Sequence, residues 1–137
     1  MITHVLDTSA LLAHYLRDAG DVNVILARGP EENGVSLITV VELRGRLTEL
    51  VADTTEAERA FKLYTETLTT PMPFTRATAE AAMELRSATR PRLPLVDALI
   101  AASARQHGAI LVHCDWHLAG IPTTLVNQKV LPPKLAT

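Results

Sequence analysis

Short apolar runs alternate along this chain with longer stretches of helical spacing, and proline, glycine or a capping residue punctuates most of the joints. Ile2 to Leu6, interrupted by Thr3 and His4, predicts a strand that stops at Asp7-Thr8-Ser9, and Ala10-Leu11-Leu12-Ala13 then predicts a helix. A helical pattern continues over Val22 to Ala27 until Gly29-Pro30. Gly34 opens a second short strand at Val35-Ser36-Leu37-Ile38, and Thr39-Val40-Val41-Glu42 starts a helix reaching about Ala52. Asp53 and Glu56 have capping-box spacing and begin a helix toward Leu68. Met72-Pro73-Phe74 predicts a minimal strand whose proline suits an edge or a strand end, and Thr75 caps the helix that follows. Pro91 and Pro94 close that element. Eight of the ten residues from Leu95 to Ala104 are apolar, which is too many for a surface helix, so this helix is expected at the centre of the molecule. Gly108 ends it, Ala109 to Val112 reads as a buried strand, and Thr123 to Val126 reads as the last one. The end from Lys134 to Thr137 is expected to fray.

Strands alternating with helices through short turns predict an α/β fold: a mostly parallel sheet of four to five short strands, with helices on both faces. The 137 residues are expected to form one domain. A composition of 47% hydrophobic and 20% charged residues excludes the signature of a disordered chain. The apolar runs, of which Val35 to Val41 is typical, fall well short of the ~20 residues that cross a bilayer. The opening Met-Ile-Thr-His-Val-Leu-Asp lacks the features of a signal peptide, so a cytoplasmic location is expected. The one cysteine, Cys114, allows no intrachain disulfide and no multi-cysteine zinc site, which fits a reducing compartment.

In open parallel sheets ligands bind beyond the carboxyl ends of the strands. Four carboxylates fall at such places: Asp7 after the first strand, Glu42 in a first helical turn after the second, Asp97 at the start of the central helix and Asp115 after Ala109 to Val112. Each has a local alternative. Asp7 and Asp115 could cap the helices that follow, Glu42 could complete a capping box opened by Thr39, and Asp97 could favour the positive end of a helix dipole. Together, four acids converging on one sheet end repel one another unless a cation sits among them or a proton is retained. An all-oxygen ligand set selects Mg²⁺, with Mn²⁺ as a substitute, and such a site suits phosphoryl transfer.

The net charge of −2 is not that of a conventional basic nucleic-acid binder. Its distribution changes the picture: residues 1 to 70 carry 6 Lys and Arg against 11 Asp and Glu, and residues 71 to 137 carry 7 against 4. Removing four metal-bound acids would leave +2 on the rest, compatible with an anionic substrate. Arg76, Arg86, Arg90 and Arg92 lie close in sequence, with no acid between Ser87 and Val96. They form either a solvated surface or a phosphate-contacting patch.

These segments resemble, in order, the four motifs of the PIN-domain ribonucleases, and most closely the VapC-type toxins of bacterial toxin–antitoxin pairs: Val5 to Leu12, Ser36 to Leu43, Leu95 to Ala102, and Leu111 to Leu118. The resemblance implies a PIN-like fold with Asp7, Glu42, Asp97 and Asp115 as the metal site and Ser9 as a polar group that orients an acid or a water. It also implies a Mg²⁺-dependent endoribonuclease in which water held between Asp7, Asp97 and Asp115 attacks an RNA phosphodiester, with Glu42 holding or polarising water. A homodimer and a VapB-type antitoxin whose C-terminal segment covers the site are further implications. The fourth motif departs from the family: His113 stands where Thr is common, His117 where a second Asp is frequent, and Leu118 where an aromatic is usual. The missing fifth carboxylate implies a weaker second ion, and His117 is a candidate for contacting phosphate or protonating the leaving oxygen. Arg90 and Arg92 are candidate substrate contacts because they run directly into Asp97. Crowding of His113, Cys114, Asp115 and His117 into one short segment argues against zinc. Two readings stand beside the nuclease: a non-catalytic acidic module that holds a basic peptide, and a phosphatase with Asp7 as nucleophile, which Ser9 disfavours because a second Asp is expected there.

Overall fold

The computed structural model describes residues 1–17 and 20–132. Among these residues five parallel strands form one sheet: β1 (His4–Leu6), β2 (Asn33–Ser36), β3 (Thr70–Met72), β4 (Ile110–His113) and β5 (Gln128–Val130), in the order β3-β2-β1-β4-β5. His4 is aligned with Asn33 on one side and Ile110 on the other, which makes β1 the central strand. The helices are α1 (Thr8–Arg17), α2 (Gly20–Leu26), α3 (Leu37–Leu50), α4 (Thr54–Lys62), α5 (Arg76–Ala88), α6 (Leu95–His107) and α7 (Trp116–Ala119), with a π-helical turn at Leu63–Thr67.

Alternation along the strands divides the core in two. Val5 and Leu111 face a layer made with Leu85 of α5 and Ala98, Ile100 and Ala101 of α6. Leu6, Val35 and Val112 face the other, with Leu11 of α1, Leu43 and Leu47 of α3 and Tyr64. The apolar helix expected at the centre is α6; Ala98 and Ile100 through Ala104 are buried, and Gly108 ends it at φ 59°, a left-handed conformation that glycine adopts without steric cost. Gly34 is needed for a different reason: a Cβ there would fall on the Met72 side chain of the neighbouring strand.

Several boundaries differ from the sequence expectation. The second strand ends at Ser36 rather than Ile38, because the Ser36 side chain accepts the Ile38 N–H at 3.1 Å and caps α3. The edge strand is Thr70–Met72 rather than Met72 to Phe74, with Pro71 on the sheet edge, where a missing N–H costs no ladder bond. Thr123 to Val126 is not a strand; the N–H groups of Leu125 and Val126 both turn back to the Pro122 carbonyl, and pairing with β4 resumes at Gln128. The helix toward Leu68 loses α-helical spacing at Leu63, and Tyr64 on the widened turn meets His14 of α1 at 2.5 Å. The Lys134 to Thr137 end lies outside the described residues.

Candidate active site

The topology puts the ends of β1, β2 and β4 side by side, and the four acids follow from the segments that leave this edge or pack beside it. The Asp7 N–H donates to the Val112 carbonyl at 3.1 Å, which anchors this residue between β1 and β4. Its Oδ1 accepts from the Ala10 N–H at 3.1 Å and from the Ser9 hydroxyl at 2.6 Å. Asp115 caps α7 in the same way, with Oδ1 accepting the His117 N–H at 2.8 Å. The capping alternatives are therefore real for both residues, but each uses only one carboxylate oxygen. Glu42 behaves differently. Because Ser36 is the cap of α3, Glu42 lies beyond the capping positions, and its Oε1 accepts from the Thr8 hydroxyl at 2.8 Å. Asp97 stands in the first turn of α6.

Small hydroxyl residues tie these elements together. Ser9 Oγ, while donating to Asp7, accepts the Cys114 N–H at 2.9 Å and so joins the start of α1 to the β4–α7 segment beside Asp115. Thr8 joins the same start to α3. The result is a cleft of about 250 Å³ lined by Asp7, Ser9, Glu42, Asp97 and Asp115, with Thr8, Leu12 and Arg46.

Charge is held there at a cost. Asp7 is only 4% exposed. Burial pushes its carboxyl up to about 7 against the downward pull of the Ser9 and Ala10 hydrogen bonds, with Asp115 and Asp97 adding repulsion. Asp97 is raised to about 6, chiefly by burial, then by Asp115 and Glu42, with His117 opposing. His117 Nδ1 lies 3.3 Å from Asp115 and 4.0 Å from Asp97. One ligand atom from each of Asp97, Asp115 and His117 falls within 4.8 Å of the others, a spacing at which a single cation can be shared.

The PIN domain model matches residues 4–123, and with them every segment that lines this cleft. The chain belongs to the PIN-domain family. Solved structures with the same fold include a chain of VapBC2 from Rickettsia felis, bound to a DNA fragment from its promoter, at 16% identity and a TM-score of 0.78 over 96% of this chain and 100% of that one. A DNA-bound VapBC chain from Salmonella typhimurium is 15% identical, with a TM-score of 0.76 over 95% of this chain and 98% of its own. A toxin–antitoxin complex from Klebsiella pneumoniae contributes a chain 24% identical, with a TM-score of 0.67 over 88% and 93%. No curated protein matches the sequence.

Within this PIN domain His117 stands at the margin of the acidic cleft, and Arg90 and Arg92 line the surface beyond it. His117 lines an adjoining pocket of about 140 Å³ with Trp116, Arg92, Pro91, Leu93 and Pro94. Arg92 continues into a larger concavity of about 630 Å³ with Met83, Arg86, Ser87 and Arg90. Arg90 lines the larger concavity but not the pocket beside His117, and it donates to the Ser87 and Thr89 carbonyls. His113 is fully buried; its Nδ1 accepts the Asp115 N–H at 3.1 Å, which leaves Nε2–H to donate to Gln128 at 2.8 Å. Both ring nitrogens are engaged, and burial lowers its pKa, so His113 is a neutral brace rather than a ligand. Sequence reasoning missed Thr8 and Arg46 as lining groups. Arg46 is four residues after Glu42 on α3, a spacing that puts both on one helix face.

Proposed function

We propose that this PIN domain is a VapC-type toxin, a divalent-metal-dependent endoribonuclease held inactive by a cognate VapB-type antitoxin. The observation that carries the reading is the convergence of Asp7, Glu42, Asp97 and Asp115, from four separate segments, on one cleft in which Asp7 and Asp97 are poorly tolerated as free anions. Carboxylates forced together under burial are the donor set of a hard cation, and the uncommitted oxygens of Asp7 and Asp115 suit that role. Asp7, Asp97 and Asp115 would hold Mg²⁺ or Mn²⁺, with Glu42 and His117 at the margin. When bound, the cation supplies neutralisation of the site, a lowered pKa for an attacking water and stabilisation of charge on the phosphodiester.

The chain's own groups do the rest. Ser9 holds Asp7 in one rotamer through its 2.6 Å bond and fixes the distance to the Asp115 segment. Thr8 orients the Glu42 carboxylate toward the same cleft, where it polarises water. His117, beside Asp115 and Asp97, is placed to contact phosphate or give a proton to the leaving oxygen. A phosphatase with Asp7 as nucleophile fits poorly, because a carboxylate 4% exposed with one oxygen doubly hydrogen-bonded is a weak attacking group. The same family resemblance supports a homodimer and a cytoplasmic setting.

The direct experiment incubates the purified chain with structured RNA in chelator and then adds Mg²⁺ or Mn²⁺. Cleavage that appears only with the ion and leaves 5′-phosphate and 3′-hydroxyl ends supports the proposal. Cleavage undiminished in chelator, or none with either ion, refutes it.

A further inference from the structure

Trp116, the one tryptophan of the chain, is 71% exposed at the start of α7, one residue from Asp115. An aromatic ring so exposed contributes little to the core, since burial is what makes such a side chain stabilising, and its face is open to a ligand. The ring is not loose. It stacks on His117 at a centroid distance of 3.8 Å and an interplanar angle of 29°, and His117 is itself held 3.3 Å from Asp115. Trp116 thus stands as an oriented aromatic plate at the rim of the acidic cleft.

The surroundings give that plate a direction. The small pocket under Trp116 and His117 is also lined by Arg92, and Arg92 continues into the 630 Å³ concavity with Arg86 and Arg90. None of the three arginines meets a carboxylate among the described residues; Arg86 donates to the Leu93 carbonyl and Arg90 to the Ser87 and Thr89 carbonyls. By contrast six of the other seven arginines, Arg28, Arg44, Arg46, Arg59, Arg76 and Arg105, have acidic partners, and Arg17 donates to the Pro132 carbonyl and Cys114. A concave wall of uncompensated guanidinium groups beginning beside an exposed aromatic plate is complementary to a polyanion with accessible bases.

We propose that Trp116, Arg92, Arg86 and Arg90 form a lane for single-stranded RNA leading out of the acidic cleft, in which Trp116 stacks a base and the arginines follow the phosphates. Single strands are required because a base inside a duplex has no free face to offer. The proposal rests on the nuclease reading, for it specifies how the strand leaves that cleft.

Trp116 is its own reporter. The full chain in chelator, titrated with a short oligoadenylate, is expected to lose tryptophan emission along the same curve as the anisotropy of the labelled RNA, and a duplex of equal length is expected to leave the emission unchanged. Trp116→Ala should weaken oligoadenylate binding about tenfold, the effect of one lost base stack, and Trp116→Phe should recover most of it. Arg86→Ala with Arg92→Ala should reduce the slope of log affinity against log salt by about 1.4, for two lost single-strand phosphate contacts. If metal-dependent cleavage of RNA is present but oligoadenylate binding leaves the emission unchanged and these variants are neutral, the lane is overturned while the nuclease reading stands. If cleavage is absent yet emission responds to oligoadenylate, the nuclease reading fails and the lane survives as a binding surface. An emission change with an acidic peptide and none with RNA assigns the face to a protein partner and overturns the lane.

Discussion

The acidic cleft and the arginine-lined concavity lie next to each other and are built on opposite principles. In the first, charge is placed by backbone: Asp7 is hung from β4, Asp7 and Asp115 each cap a helix, and hydroxyls of Thr8 and Ser9 lock neighbouring elements around them. In the second, charge is carried by side chains at the end of α5 and along the segment that joins it to α6, where Arg90 and Arg92 are exposed and held only by carbonyls or solvent. Chemistry needs atoms fixed to within a fraction of an ångström, and fixing anions under burial costs stability. Affinity for a strand tolerates motion and costs the fold little. The contrast predicts that substitutions in the first region change catalysis and stability together, and that those in the second change binding alone.

The largest expected effect comes from removing a cleft charge. Asp97→Asn should lower cleavage by about a thousandfold or more, because it weakens cation binding and with it most of what the ion contributes. Gel analysis of RNA products checks this, and circular dichroism should show an unchanged fold. Retained cleavage would dissolve the distinction between the two regions.

Next in size is stability without metal. The Asp7 carboxyl is raised from an ordinary 3.8 to about 7, so its proton is bound more tightly in the folded state. The resulting stabilisation is complete below the unfolded value near 4 and is lost as pH rises through about 7. Metal-free protein should therefore lose stability across this window, and Asp7→Asn should flatten the loss and gain about 1–3 kcal/mol at pH 8. Asp97 acts in the same direction. Urea denaturation in chelator across pH 4 to 8 measures both, and Mg²⁺ should restore the wild-type chain at high pH but not the variant.

Ser9→Ala sharpens the comparison at the level of one hydrogen bond. Loss of the 2.6 Å donor should raise the Asp7 pKa further, shift the acidic limb of the pH–rate profile upward and cost about 1 kcal/mol of stability. The smallest effect belongs to the arginines: Arg90→Ala and Arg92→Ala should each move stability by no more than about 0.5 kcal/mol in thermal unfolding. A larger loss would mean that the Arg90 bonds to Ser87 and Thr89 brace the fold, and that this region is less independent than its exposure suggests.

Much of this was legible in order and spacing. The alternation of apolar runs and helical segments determined a parallel α/β fold, the apolar density of Leu95 to Ala104 determined which helix is central, and the placement of Asp7, Glu42, Asp97 and Asp115 after strands or at helix starts marked the residues that line the cleft. These are local properties, written in the period of the pattern and in the residues that end each element. Tertiary structure alone decided the rest. Pairing with β4 decided that the last strand begins at Gln128 rather than Thr123, and the Ser36 cap, not Thr39, decided where α3 starts and freed Glu42 to meet Thr8. The raised protonation of Asp7, the neutral bracing role of His113 and the approach of His117 to Asp97 each depend on groups distant in the chain or on how tightly they are packed. A one-dimensional pattern states which residues prefer water and which do not. Only the packed chain determines which of the polar ones are denied it, and those carry the perturbed protons and fixed geometries on which a site depends.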